Sequence, residues 1–123
     1  MITDVSTLSG LINLETLKVD ENSITDVRPL SVLINLKVLH LNNNKITDIS
    51  ALSSLINLNT LDLGRNNITM IQNLSSLLHL KELFLHKNPI DSKDVNALQA
   101  ILVNAEITTV CVSLENNRVC KGR

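Results

Sequence analysis

Apolar and polar positions follow one template four times along this chain, at a constant spacing of 22 residues. The template is L-x-x-L-x-L-x-x-N-x-I, with Val19 in one of the leucine positions. Around its second and third apolar positions, apolar and polar residues alternate, as they do in a half-buried strand. Self-similarity at a period of this length indicates a stacked solenoid in which each copy contributes one strand. The four copies begin at Leu14, Leu36, Leu58 and Leu80.

The second copy shows what each position is expected to do. Leu39 and Leu41 point into the core, and equivalent strands of neighbouring copies pair as a parallel sheet. Asn44 lies where the chain leaves the strand, and its amide can donate to and accept from the backbone of adjacent turns. We therefore expect a buried, structural asparagine ladder, made of Asn22, Asn44, Asn66 and Asn88.

The return path of three copies reads Ile-Thr-Asp-Val or Ile-Thr-Asp-Ile and places an aspartate at Asp4, Asp26 and Asp48. An aspartate just before a short helical turn can cap the free N–H groups of that turn. A 22-residue repeat leaves room only for a brief 3₁₀ or irregular segment. Met70 stands in the aspartate position of the remaining copy, so we expect that cap to be lost.

These phrases resemble the leucine-rich repeat proteins of the 22-residue subclass. The Ile-Thr-Asp and Asn-Leu phrases resemble bacterial internalins most closely and are also similar to the eukaryotic phosphatase-regulatory leucine-rich repeat proteins. The resemblance covers residues 2–90. It implies an α/β repeat solenoid with a concave parallel β-sheet, short convex 3₁₀ or irregular segments, and a protein partner held on the concave sheet.

Residues 91–123 depart from the repeat. A β-branched run over 107–112 predicts a final strand, and the tail beyond it is expected to turn at 115–118 and to fray at 121–123. This strand and a helix that precedes it in the sequence would form a C-terminal cap, so that residues 1–123 make a single domain. Apolar residues recur at helical spacing and predict a helix of two to three turns with Ser92 as N-cap: Val95, Leu98, Ile101 and Leu102.

The N-terminal end opens halfway through a repeat, because Ile2 occupies the position of Ile24. Val5, Leu8 and Leu11 would then line an open end of the apolar column, whereas solenoids generally need capping repeats. Three interpretations stay open: the chain is a fragment of a longer array, it associates with itself through this end, or the first half-repeat caps itself.

Composition narrows the classes of function. A net charge of −1 gives no basic stripe for nucleic acid. The chain has no apolar run near the roughly 18 residues that span a bilayer, so no membrane insertion is expected. Cys111 and Cys120 could form a disulfide or remain thiols, depending on the compartment. The internalin resemblance implies a bacterial surface or secreted location, which we prefer to the cytoplasmic location that the phosphatase regulators imply.

Once the buried core positions are assigned, the outward positions of the concave sheet are those that could bind a partner. Phe84 is the only aromatic residue of the chain and falls on an outward position, which makes it a candidate hot spot unless the C-terminal strand covers it. The predicted partner-binding residues on the concave sheet are Lys18, His40, Asp62, Phe84, Asp20, Asn42, Arg65, His86 and Lys87.

Catalysis is not expected at these positions. His40 and Asp62 fall in one column on adjacent strands and could meet, but no activated nucleophile accompanies them. His86 would be roughly 8 Å from this pair on sheet spacings, so no metal site and no cofactor are predicted. The chain is therefore predicted to be a non-enzymatic protein-interaction module. The alternative is a structural or self-assembling segment of a longer cell-surface or scaffold protein.

Overall fold

One six-stranded sheet runs the length of the protein, in the order in which its strands occur in the chain. The protein is represented by a computed structural model that describes residues 1–114 and 117–122, with side chains described for residues 1–110. The first five strands are parallel, and the last pairs with the fifth in antiparallel fashion. The strands are β1 (Thr16–Lys18), β2 (Val38–His40), β3 (Thr60–Asp62), β4 (Glu82–Phe84), β5 (Glu106–Leu114) and β6 (Asn117–Gly122).

Residues that are 22 positions apart in the sequence are partners across neighbouring strands β1 to β4. Leu17, Leu39, Leu61 and Leu83 are partners across β1 to β4, and Ile107 continues the row into β5. All five side chains are buried, while the residues on either side of them turn to the opposite face of the sheet. The predicted solenoid with parallel strands is therefore confirmed.

Short 3₁₀ helices form the side of the molecule opposite the sheet, as the repeat length predicts. The carboxylates of Asp4, Asp26 and Asp48 accept the backbone N–H groups two residues later, at 2.8, 2.9 and 2.9 Å. The predicted aspartate caps are thus present, and Met70 offers no oxygen in the equivalent place. The 3₁₀ helices are Ser6–Leu8, Arg28–Val32, Ser50–Ser54 and Gln72–Ser76.

An α-helix, α1 (Ser92–Ile101), replaces the 3₁₀ segment after β4. Its N-cap is Asp91, whose side chain accepts the backbone N–H of Lys93 at 2.8 Å, so the prediction of Ser92 as the cap is wrong. Asp91 has the extended backbone that a capping residue needs, while Ser92 already belongs to the helix. Val95 and Leu98 are buried against the core, as the apolar spacing predicts.

The C-terminal hairpin is more regular than the sequence suggests. β6 includes residues 117–118 of the predicted turn and residues 121–122 of the segment predicted to fray, and it pairs with residues 108–114 of β5. Residues 115–116, within the predicted turn, lie outside the described residues. The register pairs Cys111 with Cys120, but their side chains also lie outside the described part, so the disulfide stays a prediction.

The N-terminal end of the apolar column is partly exposed. Val5 is buried, Leu8 is half-buried, and Leu11 is 50% exposed. No helix among the described residues is long and apolar enough to cross a membrane.

Candidate binding surface on the concave sheet

The sheet register brings one residue from each repeat into a central row on the face opposite the leucines. Lys18, His40, Asp62 and Phe84 are partners in turn across β1 to β4, and Thr108 of β5 ends the row. The row follows from strand alternation, which sends these side chains away from the core. Lys18 is exposed, whereas the next three side chains are half-buried.

A second row lies two residues further along each repeat, where the strand has ended but the same face continues. Its members are Asp20, Asn42, Gly64 and His86. The ladder of backbone hydrogen bonds extends past them, because the N–H of Glu21 donates to Asn42 and that of Asn43 to Gly64, at 2.8 and 2.9 Å. We call this set the second row.

The chain turns directly after the second row through a backbone conformation that L-residues rarely adopt. Such φ values are unfavourable for residues with a Cβ, so the turn must be held by its surroundings. Two of the residues in this turn position belong to the predicted binding set. Arg65 is half-buried and Lys87 is exposed, and both lie at the rim of the face. The four residues are Glu21, Asn43, Arg65 and Lys87, with φ of 57°, 60°, 57° and 59°.

The asparagine ladder supplies that support. The Asn66 amide donates to the carbonyls of Leu41 and Leu63 at 3.0 Å each, and its oxygen accepts the N–H of Ile46 at 3.0 Å. Asn44 makes the same contacts one repeat earlier. Each of these two amides therefore joins its own turn to the preceding one, as a structural ladder is predicted to do.

The two rows bring together a histidine and two aspartates from three successive repeats. Asp20 Oδ2 lies 3.7 Å from His40 Nδ1. One ligating atom from each of Asp20, His40 and Asp62 falls within 4.8 Å of the others. Sequence reasoning paired His40 with Asp62 and missed Asp20. The available signal was that Asp20 follows Lys18 by two residues, which keeps it on the same face and diagonal to His40.

His86 departs from the prediction, because its side chain is only 4% exposed and contributes little to a binding surface. The ring lies across Gly64, and its Nε2 is 3.3 Å from Asn42 Nδ2, two strands away. A Cβ on Gly64 would overlap the ring and lie 2.6 Å from Asn42 Nδ2. The glycine therefore allows this contact, and the strand spacing used in the sequence argument could not show it.

Burial also favours the neutral form of the His86 imidazole. Loss of solvation lowers the pKa of the imidazole below its usual value, Lys87 lowers it further, and Asp62 opposes the shift. The shift therefore disfavours the charged imidazolium beside Arg65 and Lys87.

Phe84 stays accessible beside β5. It is half-buried, and it lines a shallow pocket with Glu82, Glu106 and Thr108. Its sheet partners are Asp62 on one side and the buried Thr108 on the other. The C-terminal strand thus borders the ring without burying it, and the surroundings of the ring are acidic.

Comparison with known proteins agrees with this architecture. The family model described as leucine-rich repeats (2 copies) matches residues 12–54 and 34–75. No curated protein sequence matches the chain. Leucine-rich repeat proteins are generally non-enzymatic binding modules.

Three solved structures illustrate the likeness. Internalin C2 of Listeria monocytogenes is 41% identical with a TM-score of 0.84, and the match covers 89% of this chain and 47% of that one. The internalin InlF of the same organism is 34% identical with a TM-score of 0.83, covering 87% and 31%. The ectodomain of the Arabidopsis thaliana receptor kinase GASSHO1/SCHENGEN3, in complex with CASPARIAN STRIP INTEGRITY FACTOR 2, is 25% identical with a TM-score of 0.72, covering 88% and 14%.

The chain spans less than half the length of each of these structures. The matched residues include the first three copies of the 22-residue template, whose leucines and asparagines contribute to the core and the ladder. The protein therefore belongs to the leucine-rich repeat family, and its repeats are internalin-like.

Proposed function

We propose that the protein is a non-enzymatic interaction module that binds a protein partner on its concave sheet. The observation that carries the proposal is the accessible ring of Phe84 in a row of otherwise polar side chains. Aromatic side chains are enriched in protein interfaces, and a few such residues carry most of the binding energy. The solved plant receptor ectodomain in complex with its factor supports this use of the fold.

The pocket beside Phe84 favours a particular chemistry in the partner. Glu82 and Glu106 flank the ring, and Asp62 is its neighbour in the central row. A lysine or arginine of the partner could place its aliphatic stem on the ring and its charge near these carboxylates. Arg65 and Lys87 at the rim could pair with acidic groups further out and so fix the orientation of the partner.

An interaction module explains the central row better than an enzyme does. His40 contacts the carboxylate of Asp20, and among the described residues no hydroxyl or thiol is hydrogen bonded to the ring. A histidine–aspartate pair without a nucleophile lacks the part that would form a covalent intermediate.

Truncation of the aromatic ring tests the proposal. We expect Phe84→Ala to weaken binding of the partner by well over about 1 kcal/mol, which is more than about fivefold in affinity. The ring is half-buried on the sheet surface, so the fold should survive its removal. The measurement is a quantitative pull-down followed by titration calorimetry with the protein that the wild-type chain retains.

A matched control is Leu78→Ala, which removes an exposed apolar side chain from the turn before β4. This variant should bind the partner as the wild type does. Equal retention by wild type and Phe84→Ala would contradict the assignment of Phe84, as would equal losses in the two variants.

A second candidate function is self-assembly through the N-terminal end of the apolar column. Leu11 is 50% exposed, whereas its equivalents Leu33, Leu55 and Leu77 are fully buried by the preceding repeat. Another copy of the chain could cover Leu11 as one repeat covers the next, in the manner of stacked solenoid units.

Sedimentation velocity separates this candidate from the first. If the ends associate, the wild-type sedimentation coefficient should rise with concentration, and Leu11→Asp should abolish the rise by placing a charge in the contact. Leu78→Asp serves as the control for a charge at an exposed leucine elsewhere. A monomer at every concentration would exclude the candidate.

A further inference from the structure

We propose that Asp20, His40 and Asp62 form a binding site for a divalent transition-metal ion on the concave sheet. The site comes from three successive repeats, since β1 leads into Asp20, β2 ends with His40 and β3 ends with Asp62. One ligating atom of each residue lies within 4.8 Å of the other two. This inference does not depend on a protein partner and can be tested on the chain alone.

The distances suit a metal ion after small side-chain rotations. Carboxylate and imidazole ligands lie about 2.1 Å from zinc, so that two ligands of a tetrahedral ion are about 3.4 Å apart. Asp20 Oδ2 and His40 Nδ1 are already 3.7 Å apart. No backbone movement is needed, because the three side chains share one face of a hydrogen-bonded sheet.

Each of the two carboxylates accepts a backbone hydrogen bond through one of its oxygens, which orients the side chain. Asp20 Oδ1 accepts the N–H of Asn42 at 2.7 Å, and Asp62 Oδ1 accepts the N–H of Gly64 at 3.0 Å. Among the described residues, no hydrogen bond occupies the second oxygen of Asp62, and that of Asp20 faces His40. Ligands oriented in this way by surrounding hydrogen bonds lose less freedom when the metal binds.

His86 and Gly64 give Asp62 a further support. The amide of Asn42 donates to Asp62 Oδ1 at 3.2 Å while the same nitrogen lies 3.3 Å from His86 Nε2. Since the His86 ring is buried, it fixes the Asn42 side chain and through it the aspartate. The imidazole that lies across Gly64 in the second row therefore contributes to the position of Asp62.

The ligand set favours a transition ion over calcium or magnesium. Imidazole is a ligand for zinc, nickel, copper and iron, whereas calcium prefers six or more oxygen ligands. Three protein ligands leave at least one coordination position open to water or to an incoming side chain. Lys18 is adjacent to His40 in the row and would oppose the metal, but it is exposed and its charged end can remain in solvent.

The test uses the full chain without an affinity tag and Zn²⁺ alone as the probe, in isothermal titration calorimetry. We expect the wild type to bind one ion at this site and His40→Ala to weaken that binding by at least about tenfold. Mutation of a residue that only supports a metal ligand already lowers metal affinity by about 10- to 100-fold, and loss of a ligand should lower it at least as much. Asp20→Asn is a second variant that keeps size and should also weaken binding. Circular dichroism shows whether each variant remains folded.

Two controls locate the ion. His79→Ala removes an exposed histidine remote from the site and should leave the affinity unchanged. A Cys111→Ser, Cys120→Ser variant removes both cysteines of the chain and should still bind the ion at the concave site. The proposal is overturned if folded wild-type protein binds no zinc, if His40→Ala and Asp20→Asn bind as the wild type does, or if the cysteine variant loses binding altogether.

Discussion

Replacement of Asn66 by alanine is expected to lower the free energy of unfolding by about 2 to 3 kcal/mol, because one buried N–H loses its only partner and two buried carbonyls each lose one of two hydrogen bonds. The side chain is 6% exposed. Its removal leaves the N–H of Ile46 without a partner, while the carbonyls of Leu41 and Leu63 keep only the hydrogen bonds that Asn44 and Asn88 donate. Equilibrium unfolding in urea, followed by circular dichroism, measures the change.

The neighbouring residue supplies a matched control. Asn67 is exposed, so Asn67→Ala should change stability by no more than about 0.5 kcal/mol. Asn66→Asp separates the two halves of the amide, since a carboxylate can still accept from Ile46 but cannot donate to the carbonyls. If Asn66→Ala behaves like Asn67→Ala, the ladder does not support the turns.

Gly64→Ala is the second large effect that we expect, with a loss of about 1 to 3 kcal/mol in unfolding free energy from overpacking. The added methyl group would overlap the buried ring of His86 and approach Asn42 Nδ2 to 2.6 Å. The φ of Gly64 does not lie in the left-handed region, so the backbone tolerates alanine and the cost comes from the side chains alone. Urea unfolding again measures the loss.

A double-mutant cycle identifies the cause. If the ring of His86 is what the methyl group meets, Gly64→Ala should cost much less in a His86→Ala background than in the wild type. Gly10→Ala is the control, because a Cβ at Gly10 meets nothing within 4 Å. If Gly64→Ala lowers the unfolding free energy equally in both backgrounds, the ring of His86 does not lie against Gly64.

The asparagine ladder was predictable because its contacts repeat. Each amide reaches backbone groups whose positions depend only on the stacking of identical turns, as the matching contacts of Asn44 and Asn66 show. The same holds for the aspartates before the 3₁₀ helices, whose partners lie two residues away in the chain. Local or strictly periodic contacts can be derived from spacing.

The contacts on the concave face do not repeat, and most of them could not be predicted. His86 reaches Asn42 only because the intervening residue is Gly64, a combination found in one place along the sheet. The approach of Asp20 to His40 is diagonal, and strand partners alone do not reveal it. Both depend on side-chain rotamers and on the size of neighbouring residues.

The C-terminal cap shows a similar limit at the level of strands. The β-branched run around Ile107 predicts β5, because its composition favours an extended chain. Nothing comparable marks β6, which becomes a strand because it pairs with the edge of β5 that β4 leaves free.

The 22-residue spacing was enough to establish the solenoid, its parallel sheet and the identity of the buried leucines, since burial in a stacked repeat follows from position alone. It also identified the row that contains His40, Asp62 and Phe84. Tertiary packing then set which members of that face meet. It buried His86 over Gly64, left Phe84 open beside β5, and brought Asp20 within reach of His40, because these outcomes depend on how unlike side chains fill the space between repeats.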